Sequence, residues 1–356
     1  MVSSSNFWSG KRVLLTGHTG FKGAWATLML TALGAHVTGF ALPAEDEENL
    51  FDLADCASGI ESHIGDLRDP SAVSAAVQAT KPDVVLHMAA QALVRRSYAE
   101  PLFTWQTNVD GTLNLLEALK PLPSPPVVLV VTTDKVYRND ETGRPFKETD
   151  PLGGHDPYSA SKAACEILTE SWRLSFAERS GIKVATARAG NVIGGGDFSE
   201  DRIVPDIWRA VRGGYELELR NPEATRPWQH VLDCLFGYLL YIEALAQNPD
   251  VPPALNFGPA GGHPPTVRDI AERILNAVSS SSRWAMSGNP GPREMLKLSL
   301  DTHLARTSIG WADYLTEERL VDWTAEWYRA YAEGADMRAF TLEQINTFLT
   351  IASRNQ

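Results

Sequence analysis

The sequence has few cysteines, an excess of negative over positive charge, and no long apolar run. Cys56, Cys165 and Cys234 are odd in number and far apart. They fit neither a disulfide framework nor the spacing of zinc ligands, so we expect reduced, buried thiols and no metal site. The formal net charge of -12 disfavours a general nucleic-acid binder, because attraction to a phosphate backbone requires a basic surface.

The chain also lacks membrane and targeting signals. A membrane-spanning helix needs about 18 consecutive apolar residues, and no such run occurs. The first ten residues lack the apolar stretch of a signal peptide, so we expect a cytoplasmic protein with no membrane partner. With 356 residues, of which 44% are hydrophobic, the chain exceeds the usual size of a single core. We therefore expect one large domain with a smaller one attached.

Strand-like and helix-like segments alternate through the first half of the chain. The predicted strands are residues 11–17, 36–42, 84–89, 126–131 and 183–187. The predicted helices are residues 22–33, 70–80, 104–119 and 158–179. Short strands with continuous apolar character are typical of a parallel sheet that is covered on both faces. The predicted fold class is therefore α/β, with a doubly wound parallel sheet of the Rossmann type.

Beyond residue 188 the alternation breaks down. We expect helices at residues 204–211 and 231–246, a short strand at 216–219, strands near 255 and 296, and a Trp-rich helix after 316. Thr266 followed by Asp269 resembles a capping box that opens a further helix. We assign residues 1–188 to a dinucleotide-binding domain, which residues 231–257 rejoin. Residues 189–356 form mainly a second, smaller α/β domain that binds the substrate.

A glycine-rich loop lies between the first strand and the first helix. Gly17, Gly20 and Gly23 have the spacing G-x-x-G-x-x-G, and His18, Thr19, Phe21 and Lys22 stand between them. Glycines allow a helix N-terminus to approach a pyrophosphate, whose charge the exposed amides and the helix dipole stabilise. The loop therefore predicts a bound dinucleotide.

The choice between NAD and NADP rests on the second strand. It ends in Phe-Ala-Leu-Pro at residues 40–43, without the acid that usually holds the ribose of NAD. No arginine follows it to bind a 2′-phosphate, so NAD is favoured, although His18 and Lys22 leave NADP open. Asp66 and Leu67, after the third strand, are candidates for the adenine contact, and a plain turn is the alternative.

Tyr158 and Lys162 are four residues apart and should share one face of a helix. A fixed ammonium group beside a phenol lowers the pKa of the phenol from its ordinary value near 10. We therefore expect Tyr158 to act as a base at a substrate hydroxyl.

The strand at residues 126–131 should end beside this pair. It is followed by Thr133, Asp134 and Lys135. Thr133 is placed to hydrogen-bond the hydroxyl that is oxidised. Asp134 and Lys135 offer an acid and a base, which hydride transfer does not need but elimination of water does. A salt-bridged loop is the alternative interpretation of these two charges.

Together these motifs resemble the extended short-chain dehydrogenase/reductase family. The resemblance rests on residues 16–23, 87–91, 107–112, the Tyr158 and Lys162 pair, and residues 188–197, Arg-Ala-Gly-Asn-Val-Ile-Gly-Gly-Gly-Asp. Most nucleotide-sugar 4,6-dehydratases of this family carry Asp-Glu where this chain has Asp134-Lys135. Lys135, His18, Lys22, and the runs Arg-Asn-Pro at 220–222 and Arg-Pro-Trp-Gln-His at 226–230 look like the branch that acts on CDP-glucose.

The resemblance implies a closed redox cycle on a nucleotide-diphosphate sugar. Hydride leaves carbon 4 for NAD, Lys135 and Asp134 serve as base and acid in the elimination of water, and the hydride returns to carbon 6. The further residues carried over are Ala89, Ala90 and Asn108 for the cofactor, and Gln91, Asn191, Arg202, Arg220 and Arg226 for the substrate. Arg293-Glu294 stands where relatives often have His-Glu. A homodimer, or a dimer of dimers, is expected by analogy.

Three alternatives stay open. The first is the same chemistry on another nucleotide sugar. The second is a nucleotide-sugar 4-epimerase, which uses Tyr158 and Lys162 but does not need Asp134 and Lys135. The third is a redox-sensing NAD-binding protein without activity, which the retention of Thr133, Tyr158 and Lys162 disfavours.

Overall fold

The computed structural model describes residues 5–260, 265–278, 283–288, 295–316 and 318–354. The strands are β1 (Arg12–Thr16), β2 (His36–Ala41), β3 (Glu61–Ile64), β4 (Val84–His87), β5 (Val127–Val131), β6 (Lys183–Ala189), β7 (Val192–Ile193), β8 (Leu217–Leu219), β9 (Gln229–His230), β10 (Ala254–Phe257) and β11 (Trp284–Met286). The helices are α1 (Ser5–Trp8), α2 (Phe21–Ala32), α3 (Leu50–Leu53), α4 (Pro70–Thr80), α5 (Val94–Ala99), α6 (Pro101–Trp105), α7 (Gly111–Leu119), α8 (Pro157–Ser180), α9 (Ile203–Gly213), α10 (Val231–Gln247), α11 (Val267–Val278), α12 (His303–Ile309), α13 (Glu318–Ala332) and α14 (Met337–Arg354).

A seven-stranded sheet in the order β10-β6-β5-β4-β1-β2-β3 forms the centre of the molecule. Every neighbouring pair in it is parallel. Successive side chains of a strand point to opposite faces, so Val13 and Leu15 join the core that contains Trp25, whereas Leu14 joins the core that contains Val77. Both faces are therefore covered, and the predicted doubly wound α/β fold is confirmed.

Two later segments return to the main sheet. β10 pairs with β6, placing Ala254 beside Thr186, and α10 packs against β5 and β6. The helix α14 lies against α2. The chain therefore returns to the main sheet twice, once between the segments of the smaller part and once after them.

The smaller part contains the β8–β11 and β7–β9 pairs with α9, α11 and α13. The predicted capping box is present, since Thr266 and Asp269 each accept a hydrogen bond from the other's backbone amide. The strand predicted near residue 296 is wrong. Within the described residues 295–300 only isolated bridges form, from Lys297 to Thr225 and from Leu300 to Phe146.

Helices surround the strand ends that matter for the site. Asp69 caps α4 as predicted, by accepting hydrogen bonds from Ser71 N and Ala72 N. The helix predicted at residues 104–119 is interrupted by a π-helical turn at Gln106–Asp110, a feature that is frequent at functional sites. None of the described helices is both long and apolar enough to cross a membrane.

Candidate active site

Two adjoining cavities open at the carboxyl ends of the main strands. The first, of about 280 Å³, is lined by the glycine-rich loop and the ends of β2 and β4, and we call it the loop cavity. The second, of about 290 Å³, lies between the end of β5, the start of α8 and residues 189–226, and we call it the lid cavity. Lys22, Ala90, Asp197 and Arg202 line both. Ligands of doubly wound sheets bind at this edge, so the two cavities form one candidate site.

The glycines of the loop are required by close backbone contacts. Gly17 has a φ of +79°, and a Cβ there would lie 2.8 Å from Ala89 N. A Cβ on Gly23 would lie 1.9 Å from the carbonyl oxygen of Gly17. The loop therefore folds tightly over the N-terminus of α2, where backbone amides and the helix dipole favour an anion. This geometry fits the pyrophosphate of a dinucleotide.

Most of the residues predicted to bind the cofactor line the loop cavity. They are Gly17, Thr19, Gly20, Phe21, Lys22, Gly23, Asp66, Leu67, Ala89 and Ala90. Arg68 Nε and Nη2 both donate to Asp66 Oδ2, and these hydrogen bonds keep the pKa of the Asp66 carboxyl group below its ordinary value. Sequence reasoning missed Glu45 and Asp46, which also line this cavity. The acidic run that follows the second strand was the available signal.

The His18 side chain lies outside the loop cavity. Its ring is fully buried, its Nε2 is 2.8 Å from Ser62 Oγ, and it meets Phe51 edge to face. A Cβ on Gly39 would lie 2.4 Å from the ring. His18 is therefore a packing residue beneath the loop, and only its backbone is in a position to serve the cofactor.

The side chains of Asn108 and Gln91 form hydrogen bonds with other residues of the protein. Asn108 accepts a hydrogen bond from Gln91 N and donates to Gln91 O and to Ser161 Oγ. The Gln91 amide bonds Leu93 and Thr104 Oγ1, and the residue lies on the wall of the loop cavity. Asn108 therefore fixes the turn after β4 against α8.

The predicted catalytic residues come together at the end of β5. Thr133 and a short 3₁₀ turn, Asp134–Val136, follow the strand, and we call residues 133–136 the β5 turn. Thr133 Oγ1 donates to Asp134 Oδ1 at 3.0 Å, and Lys135 Nζ lies 3.4 Å from the same oxygen. Thr133, Lys135, Tyr158 and Lys162 all line the lid cavity.

Asp134 lies behind this wall and is fully buried. Its Oδ2 has no hydrogen-bond partner among the described residues. An unsatisfied buried carboxylate oxygen is costly, which makes Asp134 a candidate functional group.

The start of α8 holds Tyr158 firmly. Asp156 and Ser159 form a capping box, and Tyr158 N donates to Ser97 Oγ at 3.1 Å. Burial raises the pKa of Tyr158 to about 12, whereas hydrogen bonding with Thr133 and the charge of Arg202 oppose that rise. The expected lowering of this pKa by Lys162 is wrong for the free protein. Lys162 instead donates to the Val131 carbonyl at 3.0 Å, and burial lowers its own pKa.

The predicted substrate residues Asn191, Arg202, Arg220 and Arg226 line the lid cavity. Asn191 Oδ1 is buried without a partner in the described ranges, so it is suited to accept a hydrogen bond from a ligand. Arg202 lies 3.3 Å from Asp197, and Arg226, 5% exposed, donates to the Thr225 carbonyl. Arg293 and Glu294 lie outside the described residues.

Arg95 is a cavity residue that sequence reasoning missed. It comes from α5, lines the lid cavity and lies 2.7 Å from Asp201, which also lies 3.2 Å from Arg220. The ion pairs therefore join the two sides of the lid cavity. A paired basic run directly after the Gln91 turn was the only signal in the sequence.

Comparison with known proteins identifies the family. A family model described as GDP-mannose 4,6 dehydratase matches residues 14–324. The chain belongs to this dehydratase family. Over 355 residues it is 39% identical to a CDP-glucose 4,6-dehydratase of Salmonella typhimurium, covering 98% of this chain and 99% of that one. The resemblance to nucleotide-sugar dehydratases that the motifs carry is confirmed.

Solved structures of two activities share the dehydratase fold. A dTDP-glucose 4,6-dehydratase of Streptomyces venezuelae with NAD bound is 25% identical, with a TM-score of 0.76 over 91% of this chain and 98% of that one. A UDP-glucose 4-epimerase of Thermus thermophilus in complex with NAD is 26% identical, with a TM-score of 0.77 over 89% of this chain and 99% of that one. The fold is common to dehydratases and epimerases, so residues at the site must separate the two chemistries.

The buried His18 generates a pH prediction for this dehydratase. Burial, followed by repulsion from His63, lowers the pKa of His18 to about 4. Because the pKa of His18 is lower in the folded than in the unfolded protein, the neutral ring contributes its full share to the folding free energy above pH ~6.5. This contribution is lost as the pH falls toward ~4. His18→Gln should make the fall in unfolding free energy from pH ~6.5 to ~5 shallower, by up to about 1.4 kcal/mol per pH unit. Urea titrations at several pH values measure the slopes.

The exposed His36 offers the matched control. His36→Gln should keep the slope of the wild-type protein. Equal slopes for wild type and His18→Gln would contradict the assignment of His18 as a neutral, buried ring.

Proposed function

We propose that this chain is an NAD-dependent hydro-lyase that converts CDP-glucose into CDP-4-dehydro-6-deoxyglucose and water. The observation that carries the proposal is the presence of Thr133, Lys135, Tyr158 and Lys162 on one wall of the lid cavity, beside the loop cavity. Tyr158 and Lys162 suffice for oxidation and reduction at carbon 4. Lys135 with Asp134 adds an acid and base pair, which a dehydration needs. The identity to the Salmonella typhimurium enzyme supports CDP-glucose as the substrate.

The loop cavity would hold NAD. The amides of residues 17–23 would bind its pyrophosphate, Asp66, Leu67, Ala89 and Ala90 would line the adenosine and nicotinamide sides, and Asn108 would support the turn beneath. Bound NAD would supply a reversible hydride acceptor. Lys162 would leave the Val131 carbonyl to hold the cofactor ribose, which places its ammonium group where it lowers the pKa of Tyr158.

The oxidation at carbon 4 depends on Tyr158 and Thr133. Tyr158 removes the proton of the 4-hydroxyl, and Thr133 orients that hydroxyl by a hydrogen bond. The pKa of about 12 in the free protein means that Tyr158 is a protonated phenol at neutral pH. Its activation therefore depends on the ammonium group of Lys162, once that group has left the Val131 carbonyl.

The elimination across carbons 5 and 6 depends on the next two residues. Lys135, whose side chain is 17% exposed, reaches the lid cavity and removes the proton of carbon 5, which the neighbouring ketone acidifies. Asp134 supplies a proton to the departing 6-hydroxyl, and its unpaired Oδ2 is the oxygen suited to that contact. The hydride returns to carbon 6 and carbon 5 is reprotonated, so the product keeps a 4-keto function.

The arginines of the lid cavity would hold the nucleotide diphosphate. Arg202, Arg220 and Arg226 come from the smaller part of the molecule and present forked donors that match phosphate oxygens. Asn191 and Gln91 are assigned to the sugar, Asn191 through its unpaired Oδ1. We further propose that residues 1–188 with 231–257 form the NAD-binding domain, that the rest of 189–356 forms the substrate domain, and that the enzyme is cytoplasmic.

We also propose a homodimer built on α6, α7 and α8. Large apolar side chains are exposed along these helices, namely Leu102, Trp105, Leu113, Ile167, Leu174 and Phe176. Exposed apolar side chains on neighbouring helices mark a candidate interface, and the most common closed assembly is a two-fold dimer. A dimer of dimers would require a second interface elsewhere.

The internal hydride transfer can be tested with CDP-glucose that carries deuterium at carbon 4. The product should be a dehydrated 4-keto sugar with the label at carbon 6, as measured by NMR and mass spectrometry, without accumulation of reduced cofactor. Parallel reactions with dTDP-, UDP- and GDP-glucose decide the base preference. Stoichiometric NADH would contradict the proposal, and so would an intact hexose that retains the label at carbon 4, which is the outcome for an epimerase.

Lys135→Met should separate the two halves of the reaction. Because oxidation at carbon 4 does not use Lys135, the variant should form reduced nicotinamide on mixing with substrate. Dehydration should slow by at least about 100-fold, the usual contribution of a general base. Stopped-flow absorbance follows the first step and product NMR the second. Lys147→Met, in the exposed part of the same connection, is the control; wild-type dehydration by Lys135→Met would assign the base elsewhere.

The dimer can be tested with charges on α8. Ile167→Glu combined with Leu174→Glu should yield a monomer in light scattering coupled to size exclusion, because buried unpaired carboxylates are too costly for the interface. Met286→Glu is the matched control, since Met286 is exposed to the same 69% as Leu174 but lies on β11. A dimer that persists in the double variant would rule out this surface.

A further inference from the structure

Glu166 is a buried carboxylate that the proposed reaction leaves without a role. It lies on α8, four residues beyond Lys162 and eight beyond Tyr158, and hence on the same helix face. The residue is 3% exposed. Its carboxylate accepts hydrogen bonds from Thr132 Oγ1, from Thr186 Oγ1 at 2.8 Å and from Arg188 Nη2 at 2.8 Å. One side chain of α8 therefore binds the ends of both β5 and β6.

The ion pair between Glu166 and Arg188 is fully enclosed, since the two side chains are 3% and 6% exposed. Removing two charges from water costs about as much as their attraction returns, and well-packed apolar residues often serve stability equally well. Stability alone therefore does not account for these charges. Their hydrogen bonds to particular elements are the feature that apolar residues would not supply.

The partners of the pair bracket the β5 turn. Thr132, which donates to Glu166, immediately precedes the turn. Tyr137, whose hydroxyl accepts a hydrogen bond from Arg188 Nη1 at 2.9 Å, immediately follows it. Tyr137 in turn donates to Asn256 Oδ1 at 2.6 Å. Both ends of residues 133–136 are thus fixed to one buried charge pair, and through Glu166 to the helix that carries Tyr158.

Lys162 provides a second link between α8 and β5, through the Val131 carbonyl. In the proposed reaction this link opens when Lys162 turns to the cofactor. The Glu166 link lies one helical turn further along and involves no residue that must move. It is therefore a contact that can stay closed while Lys162 moves.

We propose that Glu166, together with Arg188, is a positioning residue of the dehydratase: it holds the β5 turn at the register against α8 that brings Thr133 to Tyr158. The proposal rests on the function proposed above. Loss of the Thr132 contact should loosen the turn without disturbing the arginines that bind the diphosphate. The first step should therefore suffer in kcat, with little change in KM.

Thr132 and Thr186 provide a matched pair of variants. Each is a buried threonine that donates its hydroxyl to the Glu166 carboxylate, but only Thr132 adjoins the β5 turn. Thr132→Val should lower kcat by about 10- to 100-fold, the usual effect of a small misplacement of reacting groups. Thr186→Val should stay within about 3-fold of wild type. Thermal melts should show a larger loss of stability in Thr132→Val, because it removes the donor to Glu166 Oε1, whereas Oε2 keeps Arg188 in Thr186→Val.

The pH profile distinguishes positioning from simple destabilisation. Burial raises the pKa of Tyr158, and the hydrogen bond with Thr133 is the largest of the effects that lower it. Its loss in Thr132→Val should move the rise of kcat with pH upward by about half to one pH unit. Thr186→Val should keep the wild-type profile, and Thr132→Ser, which retains the hydroxyl, should restore most of the activity.

If Thr132→Val does not fold, Tyr137→Phe tests the other end of the turn and should likewise lower kcat while leaving KM unchanged. Equal kcat values and pH profiles for Thr132→Val and Thr186→Val would overturn the positioning role, and so would failure of Thr132→Ser to recover activity. Wild-type protein is assayed alongside. If wild type itself dehydrates no nucleotide sugar, the proposed function fails first, and the positioning proposal falls with it.

Discussion

The parallel arrangement of the main sheet is the constraint on which the site depends. Because β1, β4, β5 and β6 run in one direction, their carboxyl ends lie side by side along a single edge. That edge receives the glycine-rich loop after β1, the Ala89 and Ala90 turn after β4, the β5 turn, and Asn191 after β6. Residues far apart in the sequence therefore lie close together because their strands end at the same edge. A parallel sheet needs both faces buried to be stable, and the same parallel arrangement brings the residues of the candidate site together.

A chain with a net charge of -12 must bind an anion locally, against its own overall charge. The arginines proposed for this role in the lid cavity are paired with neighbouring carboxylates, Arg202 with Asp197 and Arg220 with Asp201. These pairs keep long side chains ordered near the cavity before a ligand arrives. In the proposed function, phosphate oxygens would meet guanidinium groups that these pairs already order, which would lower the entropic cost of binding.

The sequence predicted those features that depend on local geometry. The spacing of Gly17, Gly20 and Gly23 and the four-residue interval from Tyr158 to Lys162 each describe a structure that a short segment builds by itself. The directions of buried side chains were not predictable in this way. His18 points beneath its own loop, where Gly39 leaves room for its ring, and Asn108, in a π-helical turn, hydrogen-bonds Gln91. Neither neighbour is close in sequence.

The same distinction between local and long-range geometry explains why the pKa of Tyr158 was predicted wrongly. Spacing placed Lys162 on the correct face, but the pKa of a phenol depends on the whole environment, and burial outweighs every nearby positive charge in the free protein. Since the fold is shared with epimerases, neither the sheet nor the Tyr158 and Lys162 pair decides between the two reactions. In the proposed mechanism the decision rests on the β5 turn, where Asp134 and Lys135 follow Thr133. If Glu166 and Arg188 fix the register of this turn against α8, as we propose, the specificity of the reaction depends on buried charges that do not touch the substrate.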